Sequence, residues 1–408
     1  MDEHQELQRR RQAIRLWLKG VKPHRILDKV RRSRFWFSKW RKRFEQQGLT
    51  GLHSQSRRPQ HMPRACAPRI VRLIIQTRRR LVKRRVGLIG ARAIRRELRK
   101  VLGAQAPALT TINRVLEAQG LTAGSRDIRP AYCPKPLTTV EGSLHALDWT
   151  CRYLEAGPKV YAFHTLNLRT RACTQTIATD KSTPRVIQHC LDTWKTLGIP
   201  QFLQLDNDAA FCGGYKAPRI FGQFVRLCLY VGIELIFLPV AEPERNGEVE
   251  ELNGLWGHAF WERRRFASVG RVRQASPAFV QWYLTNYAPP YLNGLTPQQA
   301  QRHEPKQRLT TAQIAQLPEA LPITAGRIHF IRKVQTDGHI MILNEAWKVS
   351  KRLAGKYVWA TLVTHRRRLD IWYQRSAQHE WRLLKTYRYD LPEPVARLRP
   401  EFVRCQAA

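Results

Sequence analysis

The chain has 408 residues, 43% of them hydrophobic, which exceeds one ordinary domain and suffices for several packed cores. With 71 Lys and Arg against 31 Asp and Glu the net charge is +40, and the partner expected is a polyanion. No apolar run approaches the roughly 20 residues of a membrane span, the start is polar and acidic unlike a signal peptide, and the eight cysteines include no Cys-x-x-Cys pair; this disfavours a membrane protein, a zinc ribbon and a disulfide framework, leaving a cytoplasmic chain with reduced thiols as the expectation.

The charge is unevenly placed. Residues 1–137 hold 35 Lys and Arg against 8 Asp and Glu, residues 138–265 hold 14 of each, and residues 266–408 hold 22 against 9. A neutral middle between two cationic flanks reads as a division of labour, with the flanks gripping nucleic acid.

Residues 1–60 read as a helix-turn-helix domain. Leu7, Ile14, Leu16 and Trp17 make an apolar face that Gly20 ends, Pro23 opens a second helix, and Ser33 can cap a third. That third helix turns Phe37, Trp40 and Phe44 inward and shows Arg34, Lys39, Arg41, Lys42 and Arg43 on its other face, as a helix lying in a major groove requires. A basic three-helix bundle that binds something other than DNA is the alternative. Ser56 to Pro59 read as a flexible basic link.

Residues 61–121 repeat the theme. Between residues 64 and 100 stand 14 Lys and Arg, Arg95 and Arg96 among them, and one acid, while Ile70, Leu73, Ile74, Leu81, Leu88, Ile94 and Leu98 keep helical spacing. Thr110 is the expected cap of a last helix that stops at Gly120. Residues 122–137, rich in proline, read as a linker.

Residues 138–300 read as an α/β core. Strands are expected at Leu144 to Trp149, Val160 to Leu168, Ala172 to Ala178, Phe202 to Asp206 and Glu234 to Leu238. Helices are expected at Pro184 to Leu197 with Thr183 as cap, at Arg219 to Val231, and from about Gly247. Three strands on short connections followed by alternating helices and strands imply a mixed sheet covered by helices. Phe279, Trp282, Tyr283 and Tyr287 form an aromatic helix face suited to packing. Residues 301–408 show short alternating runs with turns at Asp337-Gly338 and Gly355, the pattern of a small SH3-like β-barrel, with Lys351 and Arg352 exposed to DNA phosphates.

Chemistry is concentrated in three acids, each expected where a strand ends or a helix begins: Asp148, Asp206 and Glu250. Carboxylates are hard oxygen ligands, and three that converge can hold one or two Mg²⁺ for phosphoryl transfer. Each has a plainer explanation. Asp148 in an apolar strand could pair with a buried base, and Asp206-Asn207-Asp208 is also good turn chemistry. With Asn246 as cap, Glu250 lies one turn into its helix and Asn253 three residues on shares its face, while Glu248 and Glu251 point elsewhere. His145 reads as a packed core histidine.

These motifs resemble the catalytic core of the DDE transposase and retroviral-type integrase superfamily, and with the helix-turn-helix front they are most similar to bacterial insertion-sequence transposases. The matching residues are Asp148 on the first strand, Asp206 with Asn207 and Phe211, and Glu250 with Asn246, Gly247 and Val249; Leu292 to Pro297 fit the tail of the core. The resemblance implies a multidomain α/β protein with N-terminal helix-turn-helix modules, an RNase H-like mixed-sheet catalytic core and a C-terminal small β-barrel. It implies catalysis by Asp148, Asp206 and Glu250 with two Mg²⁺, Mn²⁺ able to substitute, acting on double-stranded DNA at element ends and target. It also implies a homo-oligomer on DNA, associated with the nucleoid. The chain departs from the family in the longer interval from Asp206 to Glu250, in Asp208, in Arg245, and in lacking the retroviral zinc-binding module. It has no Gly-x-x-x-x-Gly-Lys-Ser/Thr loop, so any ATP-dependent step falls to a separate helper. A nuclease of the same fold without strand transfer, and a non-catalytic DNA-binding regulator, are the rival functions.

Overall fold

A computed structural model describes residues 3–54, 66–84, 86–121, 132–155, 157–213, 219–304 and 307–403. The expected links at Ser56 to Pro59 and over most of 122–137 fall outside these residues, as does Cys405. The chain divides into two compact units, Met1–Ala67 and Pro68–Ala408. No helix among the described residues is long and apolar enough to cross a membrane.

The first unit is a three-helix bundle: α1 (Glu3–Leu18), α2 (Pro23–Val30) and α3 (Arg34–Gln47). Proline at the start of α2 costs nothing because that N–H has no helical partner, and Ser33 Oγ caps α3 by accepting the Trp36 amide at 3.2 Å. Ile26, Val30, Phe37 and Trp40 fill the core.

The second unit opens with α4 (Pro68–Val82), α5 (Ala91–Leu102) and α6 (Leu109–Ala118), packed around Ile74, Leu81, Ile94, Leu98, Ile112 and Leu116. Two local expectations are corrected. Helix α6 begins at Leu109 with Ala108 as cap, so Thr110 lies inside its first turn. Leu88 sits in the α4–α5 connection and packs against the core that follows. The attachment is specific: Gly87 N–H donates to the Ala259 carbonyl at 3.0 Å, and Arg263 Nη2 donates to the carbonyls of Leu81, Val82 and Arg84 at 2.7, 2.7 and 2.9 Å. The guanidinium thereby takes the orphan carbonyls at the end of α4, where a cation also meets the negative end of the helix dipole.

After the four-residue α7 (Pro136–Thr139) come β1 (Leu144–Tyr153), β2 (Lys159–Asn167) and β3 (Cys173–Ala178), an antiparallel meander, then α8 (Thr183–Thr196), β4 (Phe202–Leu205), α9 (Ala209–Cys212), α10 (Gln223–Tyr230), β5 (Glu234–Phe237), α11 (Gly247–Ala259) and α12 (Val269–Asn286). The expected strands all form, and β4 and β5 run parallel to β1, giving the mixed sheet. Strand alternation divides the apolar residues cleanly. Leu147, Leu203, Leu205, Leu235 and Phe237 face α8 and α10; Leu144, Ala146, Ala162, Leu166 and Ile236 face α11 and α12. Ser182 rather than Thr183 stands at the cap of α8, and α10 starts after Gly222, four residues later than expected.

The C-terminal strands correct the barrel expectation. Strands β6 (Arg327–Lys333), β9 (Tyr357–Val363), β10 (Arg368–Tyr373) and β11 (Arg382–Arg388) run on from the core sheet in the order β11-β10-β9-β6-β5-β4-β1-β2-β3, while β7 (His339–Ile342) and β8 (Glu345–Lys348) pair only with each other. The join is parallel, Leu235, Ile236 and Phe237 opposite Ile328, His329 and Phe330. Because β5 is an apolar edge whose free N–H and C=O groups need partners, β6 completes it, and the two segments share one core instead of forming a separate closed barrel.

Candidate active site

Asp148 and Asp206 are brought together by register. The β1–β4 pairing sets Leu144, His145 and Ala146 against Phe202, Leu203 and Gln204; continued by two residues it sets Asp148 against Asp206. Neighbouring strands lie about 4.8 Å apart and both residues have the parity of the face under α11, so both carboxylates emerge there. The place is where the chain order reverses, β1 leading to β2 on one side and β4 lying on the other, the usual position of a site in an open α/β sheet.

Glu250 comes from the first turn of α11, and Asn253 anchors that helix: its Nδ2 donates to Asp148 Oδ2 at 2.8 Å. Three residues of helix rise about 4.5 Å, so Glu250 stands one turn above that hydrogen bond on the same helix face. Asn246 heads the helix, but its side chain turns inward, where Oδ1 accepts Gln204 Nε2 at 2.6 Å. The longer interval between Asp206 and Glu250 is accommodated without spreading the fold. Gly213, with φ of 84°, and Gly222 stand backbone to backbone, a Cβ on Gly213 falling 2.8 Å from Gly222 Cα. The intervening insertion is therefore pinched at its base; its residues 214–218 lie outside those described.

The acids act on one another. Asp148 is raised to about 7, first by burial; the Trp149 backbone hydrogen bond and the Asn253 amide oppose this, and the charges of Glu250 and Asp206 add to the rise. Asp206 is also raised, first by burial; the Asp208 N–H, 3.0 Å from Oδ1, and Lys181 pull the other way, while Asp208 and Glu250 add to the rise. Like charges held this close favour a bound cation. The donor set, hard carboxylate oxygens crowded with their own charge, fits a divalent ion such as Mg²⁺. Among the described residues, however, no group of three or more His, Cys, Asp or Glu stands ready to hold a metal, and Glu250 is exposed. The trio shares a charge field without forming a finished coordination sphere.

Two cations near the site were not expected. Arg332 of β6 is buried and ties the ends of β4 and β5 together, donating to Asn207 Oδ1 at 2.7 Å and to the Leu238 carbonyl at 2.8 Å. Lys181 donates to Asp208 Oδ2 at 2.6 Å and lies 4.2 Å from the Trp149 ring centroid. Arg332 hides in a strand outside the expected core, and Lys181 in a loop whose path depends on β3, so neither carried a local signal. A separate cleft of about 1240 Å³, lined by Phe202, Glu234, Arg327, Trp359 and Trp372, lies at the opposite ends of β4 and β5 and contains none of the three acids.

The expected DNA-contacting residues lie apart from this site. Arg34, Lys39 and Lys42 are exposed on α3. Arg41 and Arg43 turn back towards the bundle, Arg41 meeting Glu45 at 3.4 Å and Arg43 lying 5.0 Å from the Trp40 ring. Arg95 and Arg96 are half-buried on α5, and Lys351 and Arg352 are exposed in the turn before β9.

A family model described as a homeodomain-like domain matches residues 4–52, and one described as the leucine-zipper of insertion element IS481 matches residues 32–80. The chain resembles IS481-type transposases. That sequence likeness lies wholly in the front of the chain, ahead of the three acids. Among solved structures, the HTLV-2 integrase catalytic core domain in complex with magnesium, in its dimeric form, aligns at 15% identity over 40% of this chain and 99% of its own, with a TM-score of 0.31. The simian T-cell lymphotropic virus intasome in complex with PP2A regulatory subunit B56 gamma aligns at 16% identity over 74% of this chain and 96% of its own, with a TM-score of 0.35. A search of curated proteins returned no match.

Proposed function

We propose that this chain is a DDE-type DNA transposase that cuts the ends of its element and joins them to target DNA. The observation that carries the reading is the register of β1 and β4, which puts Asp148 and Asp206 side by side beneath a helix that holds Asn253 on Asp148 and Glu250 one turn above. A basic front that matches a homeodomain-like model and the leucine-zipper of insertion element IS481 supports the substrate class. Two divalent cations, Mg²⁺ or Mn²⁺, would relieve the repulsion among the acids and stabilise the attacking and leaving oxygens of an in-line displacement.

The chain's own residues do the rest. Asp148 and Asp206 offer carboxylates on a rigid sheet, and Glu250 closes on them from α11 once the charge is neutralised. Arg332 holds the turn that presents Asp206. In the first reaction water attacks the phosphorus at an element end and the 3′ oxygen leaves as a free hydroxyl; in the second that hydroxyl attacks a target phosphodiester, whose 3′ oxygen leaves in turn. No enzyme-bound covalent intermediate is needed. Residues 1–60 and 61–121 would hold element ends through Arg34, Lys39, Lys42, Arg95 and Arg96, with 122–137 as linker. Residues 138–300 would do the chemistry, and 301–408 would hold DNA phosphates through Lys351 and Arg352. Acting on two ends together calls for a homo-oligomer on double-stranded DNA.

The test is incubation of the purified chain with labelled candidate terminal DNA, with and without Mg²⁺, resolving cut from joined products. Metal-dependent products of both kinds are expected, and Asp148→Asn, Asp206→Asn and Glu250→Gln should each bind DNA and lose both. Cutting without joining would make the chain a nuclease; binding without any cutting would make it a regulator.

A further inference from the structure

Behind Asp148 runs a line of buried polar side chains that the proposed chemistry does not use. Asn253 Nδ2 donates to Asp148 Oδ2 at 2.8 Å; Asn253 Oδ1 lies 2.7 Å from His164 Nδ1; His164 Nε2 lies 2.6 Å from Gln175 Nε2; and Ser276 Oγ hydrogen-bonds Gln175 Oε1. Four elements supply the line: α11, β2, β3 and α12. Asn253, His164 and Ser276 are all buried, and Trp256 packs its ring 5.8 Å from the histidine.

The directions of these bonds are mutually determined. When Asp148 is ionised, as it must be to hold a cation, its carboxylate only accepts, so the Asn253 amide turns its NH₂ to Asp148 and its oxygen to His164. That oxygen needs a donor, so His164 carries its proton on Nδ1 and its Nε2 accepts from the Gln175 amide, whose oxygen accepts from the Ser276 hydroxyl. The ring must be neutral for this, and burial pulls the His164 pKa down to about 4, keeping it so. Placing four polar groups in an apolar layer is costly unless every one is satisfied, and here each partner fixes the next. The line ends on the carboxylate.

We propose that Asn253 and His164 are positioning residues that hold the Asp148 carboxylate in the orientation in which it takes a divalent cation, with Gln175 and Ser276 fixing the histidine tautomer. The inference rests on the reading of Asp148 as a cation ligand. Without His164 the Asn253 amide is free to rotate and can present its oxygen to Asp148, which repels the carboxylate from its place. Losing such a supporting hydrogen bond typically weakens metal binding about 10- to 100-fold.

The test uses the full-length chain and Mn²⁺ or Mg²⁺ alone, without DNA, reading the metal-induced rise in melting temperature and the free Mn²⁺ signal by electron paramagnetic resonance. Asn253→Leu and His164→Leu should raise the half-saturating Mn²⁺ concentration at least about tenfold. His164→Asn, which keeps a donor near the Nδ1 position, should restore most of it. Gln175→Leu, one bond further out, should raise it by a smaller factor and serves if either leucine variant fails to fold. A purely structural role would lower the metal-free melting temperature and leave the half-saturating concentration where it was; that result in the folded variants overturns the proposal. A wild-type chain that shows no metal response removes the cation site itself and the proposal with it.

Discussion

Replacing Asp148 by Asn should stabilise the metal-free protein while abolishing its chemistry. A carboxyl with an ordinary pKa of 3.8 is raised to about 7 by burial and by its acidic neighbours, so the fold favours its neutral form. Below pH 4 the group is protonated whether the chain is folded or not, and nothing is lost. As pH rises from 4 to 7 the unfolded chain releases this proton and the native chain keeps it. Stability therefore falls across that window and stays low above it. At 1.36 kcal/mol per decade of proton affinity the full cost is about 4 kcal/mol, an upper figure because the site relaxes around the charge. Asparagine removes the charge, and its Oδ1 can still accept from Asn253. A net gain of roughly 1–3 kcal/mol is expected at pH 8, or a few degrees in melting temperature for a unit of this size. The assay is thermal unfolding of both proteins from pH 5 to pH 8 in chelator. The curves should separate as pH rises, and Mg²⁺ should bring the wild type up towards the variant. A variant that melts at or below the wild type at pH 8, with no pH-dependent gap, would refute the electrostatic reasoning.

Arg332→Met should remove the guanidinium from the Asn207 oxygen and leave the Leu238 carbonyl with the Asn207 amide as a donor, at a cost of about 2–4 kcal/mol, read by denaturant unfolding together with loss of nicking. Arg263→Ala should free the end of α4, so limited proteolysis between residues 82 and 90 should accelerate while the melting temperature of the sheet changes little. Ser33→Ala should cost about 1 kcal/mol through the lost cap, seen as earlier melting of the first unit. Lys39→Ala and Lys42→Ala should each lower the slope of log binding constant against log salt by about 0.9 if each meets one phosphate of duplex DNA.

Local signals in the sequence were reliable where one residue dictates one geometry. Pro23 and Ser33 marked helix starts because a ring without an N–H and a hydroxyl acceptor belong there, and short, mainly apolar runs located β1 to β5 because strands buried on both faces need them. Asn253 was placed on the face of Glu250 by helical spacing, and its bond to Asp148 follows from that. What failed were features set by distant partners. Thr183 looks like a cap, yet its hydroxyl donates to the Ala210 carbonyl and Ser182 precedes the helix. The later strands read as a barrel because alternation reports a half-buried strand and says nothing of its neighbour, and β11, with no fully buried residue, has almost no pattern to read. His164 gave no sign because its role comes from side chains on β3, α11 and α12.

The parallel seam between β5 and β6 makes the acids and the C-terminal strands one cooperative structure. A fragment ending near residue 300 would strip β5 of its neighbour and leave Leu235 to Phe237 as a bare, greasy edge beside Asp206, prone to sticking to other copies of itself. Dissecting this chain by domain is thus best done from the front, where a natural break falls after Ala67.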